Sequence, residues 1–197
     1  MSKLKLLDML LEKNNGYIRT AEAIDAGVSR RYFSEYLKKR ELERVAQGLY
    51  KSQDAWDDGM YVIQVRYPEA VFSHETALYL LNFAEREPVQ YSLTLKAGTN
   101  AVGLTKEGVK VYSINIKLFE DGIIQARSPS GKNVRTYNLE RTICDLFRSR
   151  RNIDNQELHS AIKDYVRLKE KNIPLLMRYA KVFSVEKIIR QYLEVLL

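Results

Sequence analysis

The chain has 197 residues, enough for one large domain or two small ones, and its 45% hydrophobic and 29% charged residues are the balance of an ordinary globular protein. No apolar run approaches the roughly 20 residues needed to span a bilayer, and the single cysteine, Cys144, excludes an internal disulfide and a cysteine zinc site and suits a reducing, cytoplasmic setting. A net charge of +7 favours an anionic partner, of which nucleic acid is the commonest.

The opening M-S-K-L-K-L-L-D-M-L-L-E-K superficially suggests a signal peptide, but Asp8 and Glu12 interrupt it at helical spacing and no small-residue cleavage site comes after it. An amphipathic helix is expected instead, with Leu4, Leu7, Leu10 and Leu11 as its stripe and Asn14-Asn15-Gly16 as its stop. Tyr17-Ile18 is a short extended piece. Thr20 is expected to cap a second helix, Ala21 to Asp25, with Ala23 and Ile24 inward, and Gly27 permits the bend after it. Ser29 is the N-cap of a third helix ending near Arg40. Phe33, Tyr36 and Leu37 mark its buried face; Arg30, Arg31, Ser34, Lys38 and Lys39 mark the other. The period then changes. Leu42, Val45, Leu49 and Tyr50 fall in two short strands around the tight-turn pair Gln47-Gly48. Helix, short strand, two helices and a hairpin is the layout of a winged helix-turn-helix, assigned to residues 1–56.

Residues 57–197 are expected to form a second domain, α+β, with a small mixed sheet and a helical carboxy-terminal part. Met60 to Tyr67 reads as a helix stopped by Pro68, and Ser73 as the cap of a short buried helix to Asn82. Tyr91–Leu95, Lys110–Ile116 and Ile123–Ala126 alternate as strands, separated by glycine-rich turns. Helical periodicity returns at Asn138, with Leu139, Ile143, Leu146 and Phe147 on one face. Asp154, Pro174 and Ser184 then start three more helices, carrying Leu158, Ile162, Tyr165 and Val166; Leu175, Tyr179 and Val182; and Ile188, Ile189, Tyr192, Leu193 and Leu196.

Residues 1–56 carry 11 basic against 8 acidic side chains, but six basic residues crowd into 29–44 against three acidic ones. In a helix-turn-helix the first residues of the recognition helix meet base edges and flanking cations meet phosphates. Arg30, Arg31 and Tyr32 are therefore the leading base-edge candidates, with Ser34 next and Ser29 at the helix start. Lys38, Lys39 and Arg40 further along, and Arg44, Gln47 and Lys51 around the wing, are candidate backbone contacts. Stretches 127–151 and 163–190 are also basic. They suggest a second anionic surface including Arg127, Lys132, Arg135, Arg148, Arg150, Arg151, Lys163, Arg167 and Lys181, unless these are solvated helix faces.

No constellation for catalysis, cofactor or metal stands out. His74-Glu75 are adjacent on a helix and do not face each other, and the only other histidine, His159, has no partner at metal-binding spacing. Ser128–Lys132 lacks the phosphate-loop pattern, Gly98–Gly103 lacks the dinucleotide fingerprint, and no D-x-D pair marks a nucleotidyltransferase. Glu140, Arg141 and Asp145 read as a structural ion-pair network, and Cys144 as a buried residue.

The segments G-Y-I-R-T-A-E-A (16–23), G-V-S-R-R-Y-F (27–33), R-V-A-Q-G-L-Y (44–50), S-H-E-T-A-L-Y-L (73–80) and V-R-T-Y-N-L-E-R-T-I-C-D-L-F-R (134–148) resemble the AbiEi family of antitoxins and transcriptional repressors. The resemblance covers the whole chain and implies a non-enzymatic protein of phage-resistance toxin–antitoxin operons, acting in abortive infection. Its winged helix would bind inverted repeats in its own promoter and so autoregulate the operon. Its second domain would counteract a GTP-using, nucleotidyltransferase-like toxin without a stable complex, the type IV arrangement. Two other classes stay open at this point: a winged helix used to sequester a protein partner, and a nucleic-acid-modifying enzyme.

Overall fold

The computed structural model describes residues 2–197. By contact the chain divides into two compact units, one formed by the residues up to Glu69 with Arg127–Val134, the other by Ala70–Ala126 with Arg135–Leu197. Residues 57–69 and 127–134 thus fold with the amino-terminal segment, a different cut from 1–56 and 57–197.

The first unit contains α1 (Lys3–Lys13), β1 (Tyr17–Arg19), α2 (Thr20–Asp25), α3 (Arg30–Lys39), β2 (Glu43–Ala46), β3 (Leu49–Lys51) and α4 (Gly59–Arg66). Its strands form an antiparallel sheet in the order β1-β3-β2, with Ile18 opposite Tyr50 and Arg44 opposite the same tyrosine. Leu7 of α1, Ile18 of β1, Ala23 of α2, Val28 of the turn after it, and Phe33 and Tyr36 of α3 are buried together, so these short elements stabilise one another by packing. Thr20 is not the cap of α2 but its first residue. The cap position is Arg19, whose backbone N–H donates to Glu22 Oε2 at 3.0 Å. Ile24 is exposed, because a six-residue helix buries one stripe and Ala23 occupies it. Helix α4 packs beside β2, whereas the sequence pattern assigns it to the second domain.

The second unit contains β4 (Val71–Phe72), α5 (His74–Leu80), β5 (Ser92–Lys96), α6 (Val102–Lys106), β6 (Lys110–Ile114), α7 (Ile116–Phe119), β7 (Ile123–Arg127), β8 (Asn133–Tyr137), α8 (Leu139–Arg148), a 3-10 turn (Arg150–Asn152), α9 (Asn155–Arg167), α10 (Ile173–Val182) and α11 (Glu186–Leu196). The sheet order is β6-β5-β4-β8-β7, with β4 antiparallel to β5 and parallel to β8, and β5 parallel to β6. The protein is a mixed α+β chain with two sheets. Helix α8 is the centre of this unit: Arg141 to Phe147 are all buried, among α5, α9, α10 and α11.

A fully buried Arg141 ties this centre together. Its Nε donates to Asp145 Oδ2 at 2.9 Å, and Nη1 donates to the Leu118 and Asp121 carbonyls at 2.8 and 2.9 Å. The guanidinium lies over the Phe183 and Tyr137 rings at 3.9 and 4.2 Å. Glu140 is not part of that pair; it accepts from the Tyr165 hydroxyl.

Several local expectations change here. Ser73 precedes α5 without capping it, because its hydroxyl is bonded to His74 Nδ1 and Thr94. Ser184 does not cap α11: it is left-handed, with φ 58°, and Val185 holds the cap position. Strand β6 stops at Ile114 because Asn115 caps α7 by accepting from Lys117 N. Leu176, Tyr179 and Ala180 form the buried face of α10, while Val182 is exposed, since the side facing α8 is rotated by one position.

Candidate nucleic-acid interface

Ser29 Oγ accepts from Tyr32 N at 3.3 Å and so starts α3. Phe33 and Tyr36 pin the buried side, stacked on each other, and the Phe33 ring meets Tyr50 of β3 edge-on at 5.8 Å. Asp8 of α1 then fixes the roll of α3 about its axis. It accepts from Tyr36 Oη at 2.9 Å and from Arg40 Nε and Nη2 at 3.0 and 2.5 Å. Burial raises the Asp8 carboxyl, but these bonds from Arg40 and Tyr36 outweigh it and hold it below its ordinary value. Burial and the Asp8 carboxylate push the Tyr36 hydroxyl up, so it remains a donor.

With that side held, Arg30, Arg31, Ser34, Lys38 and Lys39 are all exposed on the remaining surface. Arg31 Nε is 3.4 Å from Glu35 Oε1, and both side chains are solvated, a contact of little energy that a stronger anion displaces. Tyr32 is half-buried under Lys3. The β2–β3 turn is held to α2 by Thr20 N donating to the Gly48 carbonyl at 2.8 Å, with Gly48 at φ +68°. Arg44 and Gln47 are exposed on this hairpin.

Three of the expected cations are engaged elsewhere. Arg40 is the clamp on Asp8. Lys51 is only 8% exposed and its Nζ is bonded to Asp57, which raises its pKa. Lys132 is also 8% exposed; Nζ donates to Asn14 Oδ1 at 3.0 Å and sits 5.6 Å from the Tyr61 ring centre, and burial pushes its pKa down. Lys51 and Lys132 cannot reach a phosphate without breaking the first unit's packing, whereas Arg40 stays exposed but is bonded to Asp8.

The other basic candidates are scattered by comparison. Arg148, Arg150 and Arg151 are exposed around the end of α8, with Arg150 donating to the Phe147 carbonyl. Lys163 and Arg167 share one face of α9, Lys181 is on α10, and all three are exposed. Arg127 is exposed at the end of β7 and donates to the Gly131 carbonyl. Arg135 is half-buried, 3.6 Å from Glu120.

Sequence reasoning missed Asp58, which organises the first unit. Its carboxylate is 2% exposed. Oδ1 caps α4 by accepting from Tyr61 N at 2.9 Å, and Oδ2 accepts from Ser128 Oγ at 2.6 Å, from Ser130 N at 3.2 Å and from Ser130 Oγ. The D-G pair before an apolar helix was a legible cap signal; its bonds to residues 70 positions away were not. His74 is a buried core histidine. Nδ1 lies 3.0 Å from Ser73 Oγ, Nε2 lies 3.0 Å from Ser149 Oγ, and the ring stacks on Tyr112 at 3.5 Å. Among the described residues no cluster of three or more His, Cys, Asp or Glu is placed to hold a metal ion, and no helix is long and apolar enough to cross a membrane.

The first unit is thus a small set of helices with an antiparallel hairpin and one solvated basic helix face. Residues 5–51 match the family model described as "Transcriptional regulator, AbiEi antitoxin", which assigns this amino-terminal segment to that family and bears out the resemblance there. No curated protein matches the chain. Among solved structures, the crystal structure of the RV2827C protein from Mycobacterium tuberculosis is similar over 89% of this chain and 70% of that one, with 13% identity and a TM-score of 0.57. At that identity the likeness is one of fold alone.

Proposed function

We propose that the chain is a DNA-binding transcriptional repressor in which α3 is the recognition helix and the β2–β3 hairpin is the wing. The observation that carries this reading is the solvated face Arg30, Arg31, Ser34 and Lys38 on a helix whose opposite face is clamped by Phe33, Tyr36 and Asp8. A preorganised helix with basic residues at its start fits the major groove, where arginine donates two parallel bonds to guanine worth about 1–3 kcal/mol of discrimination. Arg44 and Gln47 are then backbone contacts from the wing. The operator is the set of inverted repeats in the protein's own promoter, so the repressor autoregulates its operon in the cytoplasm. As an antitoxin of the type IV kind, it opposes a GTP-using nucleotidyltransferase-like toxin without a stable complex, through residues 57–197. Support for the regulator and antitoxin reading is the match over 5–51.

Operator binding by the full chain tests the reading. Arg30→Ala or Arg31→Ala weakens operator binding about 5- to 100-fold and relaxes sequence preference, while Lys38→Ala weakens all duplexes about equally. Unchanged operator affinity in all three variants sinks the recognition-helix assignment.

A further inference from the structure

Trp56 is the chain's one tryptophan and is 86% exposed, an unusual position for so large an apolar side chain. Its display is built into the fold. Tyr17 Oη donates to the Trp56 carbonyl at 2.8 Å and accepts from Asp58 N at 3.0 Å, and Tyr17 itself is buried. The backbone is thus pinned around Trp56 while the indole stands in solvent.

Trp56 borders a cleft of about 580 Å³ within the first unit, between the 52–55 loop and the 129–131 turn, with Asn15 and Gly16 also lining it. Both walls are held by specific contacts. Gly16 has φ +82°, and a Cβ there would lie 2.6 Å from Ala55 Cβ, so only glycine lets the loop approach this closely. Asn15 Nδ2 donates to the Ser130 carbonyl at 2.6 Å, and Asp58 holds the same turn through Ser128 and Ser130. The volume is that of ligand pockets generally.

The charge of the cleft runs against that of the chain. Asp54 lines it, exposed, and among the described residues no basic one does, in a protein of net charge +7; the neighbouring Arg127 is bonded to the Gly131 carbonyl at 2.9 Å. A cleft lined by both a carboxylate and an aromatic residue disfavours phosphates and suits a cation, which can gain from a ring and from an ion pair. We propose that this cleft receives an arginine or lysine side chain from an extended segment of a protein partner. The site is independent of the DNA-binding reading, since none of its residues lies on α3.

The full-length protein is titrated with a hexa-arginine peptide while the fluorescence of Trp56 is followed, with calorimetry in parallel. A saturable change in emission is expected. Asp54→Asn weakens binding about threefold or more, and Trp56→Ala, read by calorimetry, about fivefold or more. Both variants keep the wild-type thermal midpoint, because both side chains are exposed. Three results overturn the proposal: no saturable binding, equal binding by both variants, or an equal response to hexaglutamate. A response to duplex DNA that the arginine peptide does not produce overturns it in favour of a nucleic-acid site.

Discussion

Replacing Asp58 with alanine removes four accepted hydrogen bonds from a carboxylate that is almost wholly buried. Loss of the α4 cap costs about 1 kcal/mol. The turn loses three charge-assisted bonds, each worth about 1.5–3 kcal/mol with its geometry intact, but Ser130 is only half-buried and can turn to water, whereas Ser128 is buried. Ser128 Oγ still accepts from Lys132 N, so the stranded group is its hydroxyl proton. The expected total is about 3 kcal/mol, a loss of about 12–24 °C in the midpoint of the first unit's transition. Urea unfolding followed by far-ultraviolet dichroism measures the total. A loss below about 1 kcal/mol would refute the view that Asp58 organises this unit. A double-mutant cycle with Ser128→Ala isolates the buried hydroxyl bond to the turn, and a coupling near zero shows that this bond carries none of the cost. The same bonds make residues 1–56 a poor surrogate for the DNA-binding unit, because that fragment lacks Asp58, α4 and the 127–134 turn.

Lys132→Met is expected to leave operator affinity within about twofold, since its charge is buried against Asn14 and Tyr61; a severalfold loss together with a salt dependence shallower by about one phosphate contact would return it to the DNA surface. Burial, with Lys110 and Arg148 nearby, holds His74 neutral well below pH 6.5. The unfolded imidazole takes up a proton that the folded one refuses, so stability is fully present above pH 6.5 and falls below it by up to about 1.4 kcal/mol per pH unit. Urea midpoints between pH 7.5 and 5 measure that slope, and His74→Gln should flatten it; an unchanged slope assigns it to other groups. Gly122→Ala puts a Cβ 2.9 Å from Arg141 Cβ at a φ of +82°. Arg141 is locked by three acceptors and cannot yield, so a loss of about 2 kcal/mol or more is expected by urea unfolding, and a neutral result would show that the Arg141 centre is soft.

Periodicity and caps, which act within a few residues, were enough to place α1, α3, α8 and α9 and the β2–β3 hairpin, and Ser29 and Asp154 cap the helices they were expected to cap. The basic face of α3 was legible for the same reason, because Phe33 and Tyr36 declare the opposite side. Strand β4 was not, since two residues carry no period, and neither was β8, which is a strand by virtue of lying beside β4. Charge misled where burial decides its meaning. Lys51 and Lys132 read as surface cations by count, yet Lys51 is buried and bonded to Asp57, and Lys132 is buried against Asn14 and the Tyr61 ring. The sequence by itself determined the local elements and the residues that can face DNA, because those depend on spacing along one helix or hairpin. Only the tertiary structure decided which cations remain available, that Asp58 joins the 127–134 turn to the amino-terminal unit, and that Trp56 stands exposed over an acidic cleft. Those outcomes depend on contacts between residues 39 to 118 positions apart, whose geometry no local pattern encodes.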